Sequence, residues 1–532
     1  MGVQRQSLPP DHLRLQLLLH FPRHTPVAHQ HSQPEAHHVT LHLHPSAMMA
    51  FKSWFIYRWK QVCASSVLVL GTLLTGNVVG WSVEVSRIME DPTTPFNLTQ
   101  DDQQWLVSSA GIAAIFSTVT SGVLVEAVGP CRLIAFLLVP AALGWILMAA
   151  TESLAWIYVG RAVTGSVGLM VTTIVQPLLA EMVMADVRGL LSSLPEVFVS
   201  VGMLMVYLLA RFLSWQATTL ICGIILFPVV VGILFVPESP YWLLRRGREK
   251  AALRSLMKLR APEHDVDTEL SAVRDAITQQ GQTNSFLQQC RSLREPGNYR
   301  PVLLVTGIFF LREVGGNMVI FMYAVYFFEN AGVIFDPFTC SVLLGVSRLV
   351  FTLVSALIID RIGRRPLLIF SALVCSAALY VTGGVLYAAD PGVGWVPLTA
   401  VIIYVASFGL GEGPVPWILI GELLPTPVRS IGASIVTTTF VITLFIITQG
   451  FPDLTVAIGL QNAVIIFGTF QLILAIVTFF FLPETRKRTL EELQYAFVGG
   501  ENITTPLSHA SRQGYTPAYG STFPSTSQEK VH

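Results

Sequence analysis

The chain has 532 residues, of which 52% are apolar and only 12% charged, and its mean hydropathy is +0.60. A soluble domain carries about 25% charged residues, so this composition excludes an ordinary water-soluble globule and points to a membrane protein. Basic and acidic residues balance at 33 each, which gives no reason to invoke nucleic acid. The six cysteines (Cys63, Cys131, Cys222, Cys290, Cys340 and Cys375) follow neither a disulfide framework nor a metal-ligand spacing.

Residues 1–50 hold nine of the twelve histidines, irregularly spaced among prolines, and this pattern does not predict a metal site. Met48 and Met49 precede a start-like MMAFKSWFIYRWK. The tract is therefore either a disordered His-rich extension or sequence upstream of the translation start.

From there, apolar runs long enough to cross about 30 Å of hydrocarbon recur along the chain. They predict spans near 62–82, 105–125, 133–150, 155–180, 190–212 and 216–236, then 301–325, 338–359, 367–388, 396–420, 430–450 and 460–482. The expected architecture is an all-α membrane protein of twelve transmembrane helices in two six-helix halves, 51–237 and 301–485. A cytoplasmic linker with short helices fills 238–300, and a Ser/Thr/Pro-rich tail, 486–532, follows.

Lys and Arg set the expected orientation. Lys52, Arg58 and Lys60 precede the first span, Arg245, Arg246, Arg248 and Lys250 lie in the linker, and Arg361, Arg364 and Arg365 follow the eighth span. Arg486, Lys487 and Arg488 follow the twelfth, so all fall on one side if both termini are cytoplasmic. The expected location is a multi-pass position in the cell membrane. The sequon Asn97-Leu98-Thr99 then lies outside, making Asn97 a candidate glycosylation site.

The halves repeat. AEMVMADVRG places Glu181 seven residues before Arg188, and GELLPTPVRS places Glu422 seven before Arg429. The sixth span ends in FVPES with Glu238, the twelfth in FLPET with Glu484, and EAVGPCR is a worn copy of DRIGRR at 360–365. Three features in the same order at the same places indicate two parallel repeats. The Glu–Arg sets predict ion pairs across the halves at the cytoplasmic helix ends, which would favour the outward-facing state and must break for the inside to open.

Taken together, PESPYWLLRRGREKA, DRIGRRPLL, GEGPVPWILIGELLP and PETRKRTLEEL resemble the sugar porter branch of the major facilitator superfamily, over essentially residues 60–495. GREKAALRSLMKLRAPEHDVDTEL is similar to the facilitated trehalose transporters of arthropods and to facilitative glucose transporters. The resemblance implies the major facilitator fold, a central cavity open to each side in turn, and no cofactor. It also assigns Arg161, Glu181, Arg188 and Glu238 to an N-half gate, and Asp360, Arg361, Arg364, Arg365, Glu422, Arg429 and Glu484 to a C-half gate.

The chain departs from that family where solute is bound. The seventh helix of relatives reads QQxSGxN, whose amides suit neutral hydroxyls; here Leu311 and Arg312 replace the glutamines, followed by Glu313, Gly315, Gly316 and Asn317. Arg348 stands for Asn in the eighth helix, Glu196 for Gln in the fifth, and Phe440-Val441 for Asn-Trp in the eleventh. The tenth keeps Gly413, Pro414, Pro416 and Trp417 and adds Glu412. Asn317, Arg312, Trp417, Glu196, Arg348, Phe408 and Glu412 form the candidate solute site.

A charge at the centre of a span costs roughly 2.5–3.5 kcal/mol on insertion scales, so Arg312 must face water or a counter-charge. The expected partners are Glu196 or Glu412 for Arg312, and Arg348 for Glu313. Proton-linked relatives carry Asp in a first-helix FGYD-like motif, whereas TGNVVGW places Val78 there. The expected function is facilitative uniport of a sugar, a hexose or trehalose. The alternatives are a same-fold carrier of an organic ion or other polar solute, with or without proton coupling, and a non-transporting sugar sensor. No enzyme, metal site or obligate protein partner is indicated; the expected partners are the solute and the bilayer.

Overall fold

Apolar sequence inside hydrocarbon must satisfy its own backbone polar groups, and a helix does so within one segment. The structure, a computed structural model, describes residues 45–91, 94, 98–261, 264–281, 290–388, 394–425, 428–486, 488, 493 and 497. The His-rich tract before residue 45, Asn97 and most of the tail fall outside these, as does the side chain of Arg188.

Twelve helices are long and apolar enough to cross a membrane. In order they are Arg58–Glu90, Gln100–Val128, Pro130–Ala150, Leu154–Met182, Ser193–Phe212 and Trp215–Leu234, then Pro296–Met322, Pro337–Ile362, Arg364–Ala388, Val396–Leu423, Arg429–Ile458 and Leu460–Phe481. They are called spans 1 to 12 below. Span 11 outruns its expected end at residue 450. Gly450, Pro452 and Asp453 look like a stop in the sequence, but the Asp453 carboxylate accepts a hydrogen bond from Gln104 of span 2 at 2.7 Å, and the helix continues to Ile458.

The linker supplies three helices, Pro240–Arg245, Glu249–Leu259 and Val266–Gly281. Trp242, Leu243, Ala252, Leu256 and Leu270 form a small apolar core between them. Arg260 anchors this unit: it donates to the carbonyl of Met182 at the end of span 4 (2.9 Å) and to both oxygens of Glu269 (2.5 and 2.8 Å).

Spans 5 and 8 pack together, as do spans 2 and 11, so each of these contacts joins the first six spans to the last six. Towards the face opposite the linker, Ser108 donates to Gln449, Arg211 pairs with Asp336 (3.2 Å) and donates to Thr339 (2.9 Å), and the Arg87 guanidinium lies 4.4 Å from the Phe338 ring centre. These bonds close that face above the site.

Candidate functional site

Two spans are broken half-way along. In span 7 one helix ends at Val314 and another begins at Asn317. Gly316 between them takes a left-handed φ of 79°, and a Cβ there would sit 2.3 Å from the Phe467 ring of span 12. An L-residue meets both penalties, which explains the glycine. In span 10 the helix ends at Leu410 and restarts at Pro414. Prolines at Pro414 and Pro416 cannot continue an i to i−4 ladder but fit a first turn.

The candidate residues gather beside these breaks. The rings of Trp417, Phe309 and Phe440 meet edge to face, with centroids 5.0–5.9 Å apart. The Arg312 guanidinium lies 5.8 Å from Phe309 and 5.2 Å from Phe408, and that of Arg348 lies 5.4 Å from Phe408 and 4.6 Å from Phe321. Cation–π contacts of this kind are worth about 2 kcal/mol when desolvated, which helps both arginines remain about 1% exposed. Phe408 is thus the shared seat of two cations.

The charged partners differ from the sequence expectation. Arg312 meets its own neighbour Glu313 (Nε to Oε1, 3.6 Å), while Arg348 pairs with Glu196 (2.8 Å) and donates through Nε to Ser200 (3.1 Å). The expected Arg348–Glu313 and Arg312–Glu196 pairs do not form. A step of 100° per residue separates Arg312 and Glu313 in a continuous helix, but this helix ends at Val314, one residue later.

Many buried polar atoms here have no hydrogen-bond partner among the described residues. They include Nε and Nη1 of Arg312, both carboxylate oxygens of Glu313, and both amide atoms of Asn317. Leaving such groups unmatched costs about 1–3 kcal/mol each, more for charged groups. The arrangement therefore offers donors and acceptors together beside two broken helices. Sequence reasoning missed Ser200 and Gln471, whose Nε2 lies 3.5 Å from the Gly315 carbonyl. An amide midway along the apolar span 12 was the available signal.

The repeated charges occupy the linker face and follow the repeat closely. Glu238 accepts from the backbone N–H of Cys131 and Arg132 (2.9 and 3.3 Å), and Glu484 accepts from those of Arg364 and Arg365 (3.1 and 3.2 Å). Ser239 donates to Glu181 and Thr485 to Glu422, both at 2.5 Å. Arg364 reaches Asp360 and Glu422, each at 2.9 Å. Pro130 holds the place of Arg364 in the first repeat, so Glu181 lacks that bridge.

These contacts run within each set of six spans, because each carboxylate is taken up by the helix start or hydroxyl nearest it; the pairs across the sets were expected of the state open opposite the linker, and here that face is closed. One expectation needs correction. Arg161 does not join Glu181: it lies twenty residues earlier on the same helix, about 30 Å away at 1.5 Å per residue. Instead it is fully buried and donates to the carbonyls of Val78 (2.8 Å), Leu106 (3.1 Å) and Val107 (3.2 Å) and to Ser82 (3.0 Å). Arg429 likewise bonds the carbonyl of Leu424 (3.3 Å), and Arg361 is exposed.

Twelve apolar helices packed around a cluster of buried polar side chains define a polytopic α-helical membrane protein. The chain belongs to the sugar (and other) transporter family, whose model matches residues 46–497, and such proteins are transporters, not enzymes. It is similar to the facilitated trehalose transporter Tret1 of Aedes aegypti, with 30% identity over 84% of this chain and 56% of that one. Tret1 of Polypedilum vanderplanki is also 30% identical, over 84% and 89%. The chain spans about half the length of several curated relatives it matches. Among solved structures, the proton:xylose symporter XylE bound to 6-bromo-6-deoxy-D-glucose shares the fold, with a TM-score of 0.70 and 23% identity over 84% of this chain and 99% of that one. A partially occluded inward-open form of XylE from E. coli gives 0.68 at 21% identity, over 81% and 99%.

Proposed function

We propose that this chain carries a sugar across a membrane by alternating access, with residues 51–237 and 301–485 as the two moving halves. The observation that carries this reading is the cluster of buried polar groups at the breaks of spans 7 and 10, where donors and acceptors stand unmatched around Asn317. A sugar hydroxyl both donates and accepts, so it answers carboxylates, an amide and a guanidinium at once. Asn317, Arg312, Glu412 and Trp417 are the proposed solute contacts, with Phe408, Glu196 and Arg348 as the adjoining wall. Similarity to trehalose transporters favours a hexose or trehalose.

Transport is proposed to be facilitative, with the linker and both termini cytoplasmic in the cell membrane. Arg161 is bound by carbonyl oxygens, including that of Val78, where proton-linked sugar porters place a carboxylate. A second reading, an anionic or polar organic solute, is favoured by the unmatched nitrogens of Arg312.

Reconstitution into liposomes with a labelled panel of sugars and organic ions, with and without a pH gradient, separates these. Saturable sugar uptake that ignores the gradient is expected. Uptake of organic anions alone would replace the sugar reading with the second, and gradient-driven accumulation would remove the facilitative one.

A further inference from the structure

Spans 5 and 8 run antiparallel, and their contacts form a row. Nearest the face opposite the linker, Arg211 holds Asp336 and Thr339. Further in, the backbone of Gly345 lies against Leu204 and Tyr207, and Tyr207 donates to the Phe321 carbonyl at 2.6 Å. Deepest of these is Arg348, which grips Glu196 and Ser200, one turn apart on span 5. From Arg211 to Glu196 the row covers about 22 Å at 1.5 Å per residue.

The deepest contact differs in kind from the rest. It is a buried ion pair, with Arg348 about 1% exposed and Glu196 12%, whereas Arg211 and Asp336 are 44% and 46% exposed. Its cation rests on Phe321, just after the break of span 7, and on Phe408, just before the break of span 10. The Glu196 carboxylate lies against the span 10 break itself, 3.7 Å from where a Cβ on Gly413 would stand. One ion pair therefore touches spans 5, 7, 8 and 10.

We propose that Glu196 and Arg348 form an inner latch that holds the face opposite the linker shut, and that solute bound at the two breaks releases it. This rests on the alternating-access reading and gives the two residues a role toward each other, beyond lining the solute site. Opening the opposite face parts spans 5 and 8 from that end inward, so it is complete only when this pair separates. Separation strands two charges in an apolar setting unless new polar partners arrive. Hydroxyls entering beside Gly413 and Phe408 supply such partners, and any shift of either break disturbs the aromatic seat of Arg348. Solute occupancy is thereby coupled to opening.

The test uses the full chain in liposomes, with Cys340→Ala and a Ser341→Cys reporter. Ser341 is buried on the same stripe of span 8 as Gly345 and Arg348, and its hydroxyl donates to the Pro337 carbonyl of its own helix at 3.0 Å. An impermeant maleimide added opposite the linker reads opening at that position without any solute. Labelling is expected to rise severalfold in Glu196→Gln/Arg348→Gln, and by a smaller factor in Glu196→Asp, which lengthens the pair without stranding a charge. Each single neutralisation should cut sugar uptake by roughly tenfold, because it leaves one buried charge alone. The double variant should take up more sugar than the worse single, the non-additivity expected of a direct pair. Unchanged labelling in both the double variant and Glu196→Asp overturns the latch. So does a double variant no better in uptake than the worse single, which marks direct solute contact instead. A wild type that takes up no sugar, together with raised labelling in the double variant, would end the sugar proposal and leave the latch standing.

Discussion

Glu484 stands to span 9 as Glu238 stands to span 3. Each carboxylate closes over two backbone N–H groups that begin another helix and that would otherwise lack intrahelical acceptors. The helix start carries positive partial charge, so an anion there gains from the dipole as well as the hydrogen bonds. Gly129 and Gly363, at φ of 100° and 107°, bring the chain close enough: a Cβ on either would sit within 3 Å of the capping oxygen.

Removing such a cap has a defined cost. Glu484→Ala should destabilise the protein by about 0.5–2 kcal/mol, the range for lost helix caps. Glu484→Gln, which keeps one acceptor oxygen, should lose less. The apparent unfolding temperature of the purified protein in detergent reads both, and equal losses would show that the carboxylate does not act as a cap.

The break in span 7 makes a second prediction. Gly316→Ala meets a left-handed backbone costing about 1–2 kcal/mol and a collision with Phe467 at 2.3 Å. Folded protein recovered from membranes should fall sharply. Adding Phe467→Ala removes the collision but not the backbone strain, so recovery should be partial. Full recovery would mean the backbone conformation is unimportant.

Arg312 and Glu313 share one buried setting. Arg312→Gln leaves Glu313 without its neighbouring cation and should cost about 3–5 kcal/mol. Arg312→Gln/Glu313→Gln should cost less than the sum of the singles, with a coupling of at least about 0.5 kcal/mol. Thermal unfolding of the four proteins closes the cycle, and strict additivity would show the two charges act independently.

The linker anchor gives a pH prediction outside the membrane. Burial alone would raise the Glu269 carboxyl, but hydrogen bonds and charge from Arg260, with His264 adding at 3.0 Å, outweigh it and hold the carboxyl below the ordinary glutamate value. A depressed acid stabilises the fold above its unfolded pKa and loses that stabilisation as pH falls through its lower folded value. Proteolysis within Val266–Gly281 should therefore stay slow at neutral pH and quicken below the ordinary carboxylate range. In Arg260→Met it should already be fast at pH 7, with the acid step removed.

The twelve spans, the linker and the repeat were legible because each is written in local pattern: runs of apolar residues, charge at helix ends, and short motifs in fixed order. Even the hydroxyls Ser239 and Thr485 stood in view as the last letters of FVPES and FLPET. Pairing between distant helices was not legible. Arg348 and Glu196 lie 152 positions apart, and no periodicity within one helix chooses between Glu196, Glu313 and Glu412 as a partner. The position of Arg161 was misread for a related reason. Family motifs group residues by how often they occur together, whereas a buried guanidinium goes wherever unmatched carbonyls converge. The length of span 11 failed because Pro452 and Asp453 look like a stop until Gln104 is seen across the gap.

Ser239 sits directly after Glu238 and ties the linker into the same knot. Its hydroxyl accepts from the N–H of Trp242 (3.2 Å) while donating to Glu181, Ser255 donates to the carbonyl of Glu238 (2.5 Å), and the Trp242 indole donates to the carbonyl of Glu126 at the end of span 2 (3.1 Å). Spans 2, 3, 4 and 6 thus converge with the first linker helices on a few square turns of chain. A pull or twist applied to the linker is delivered there to four helices at once, so the linker serves the first six spans as a handle serves a door, gripping the leaf and not the hinge.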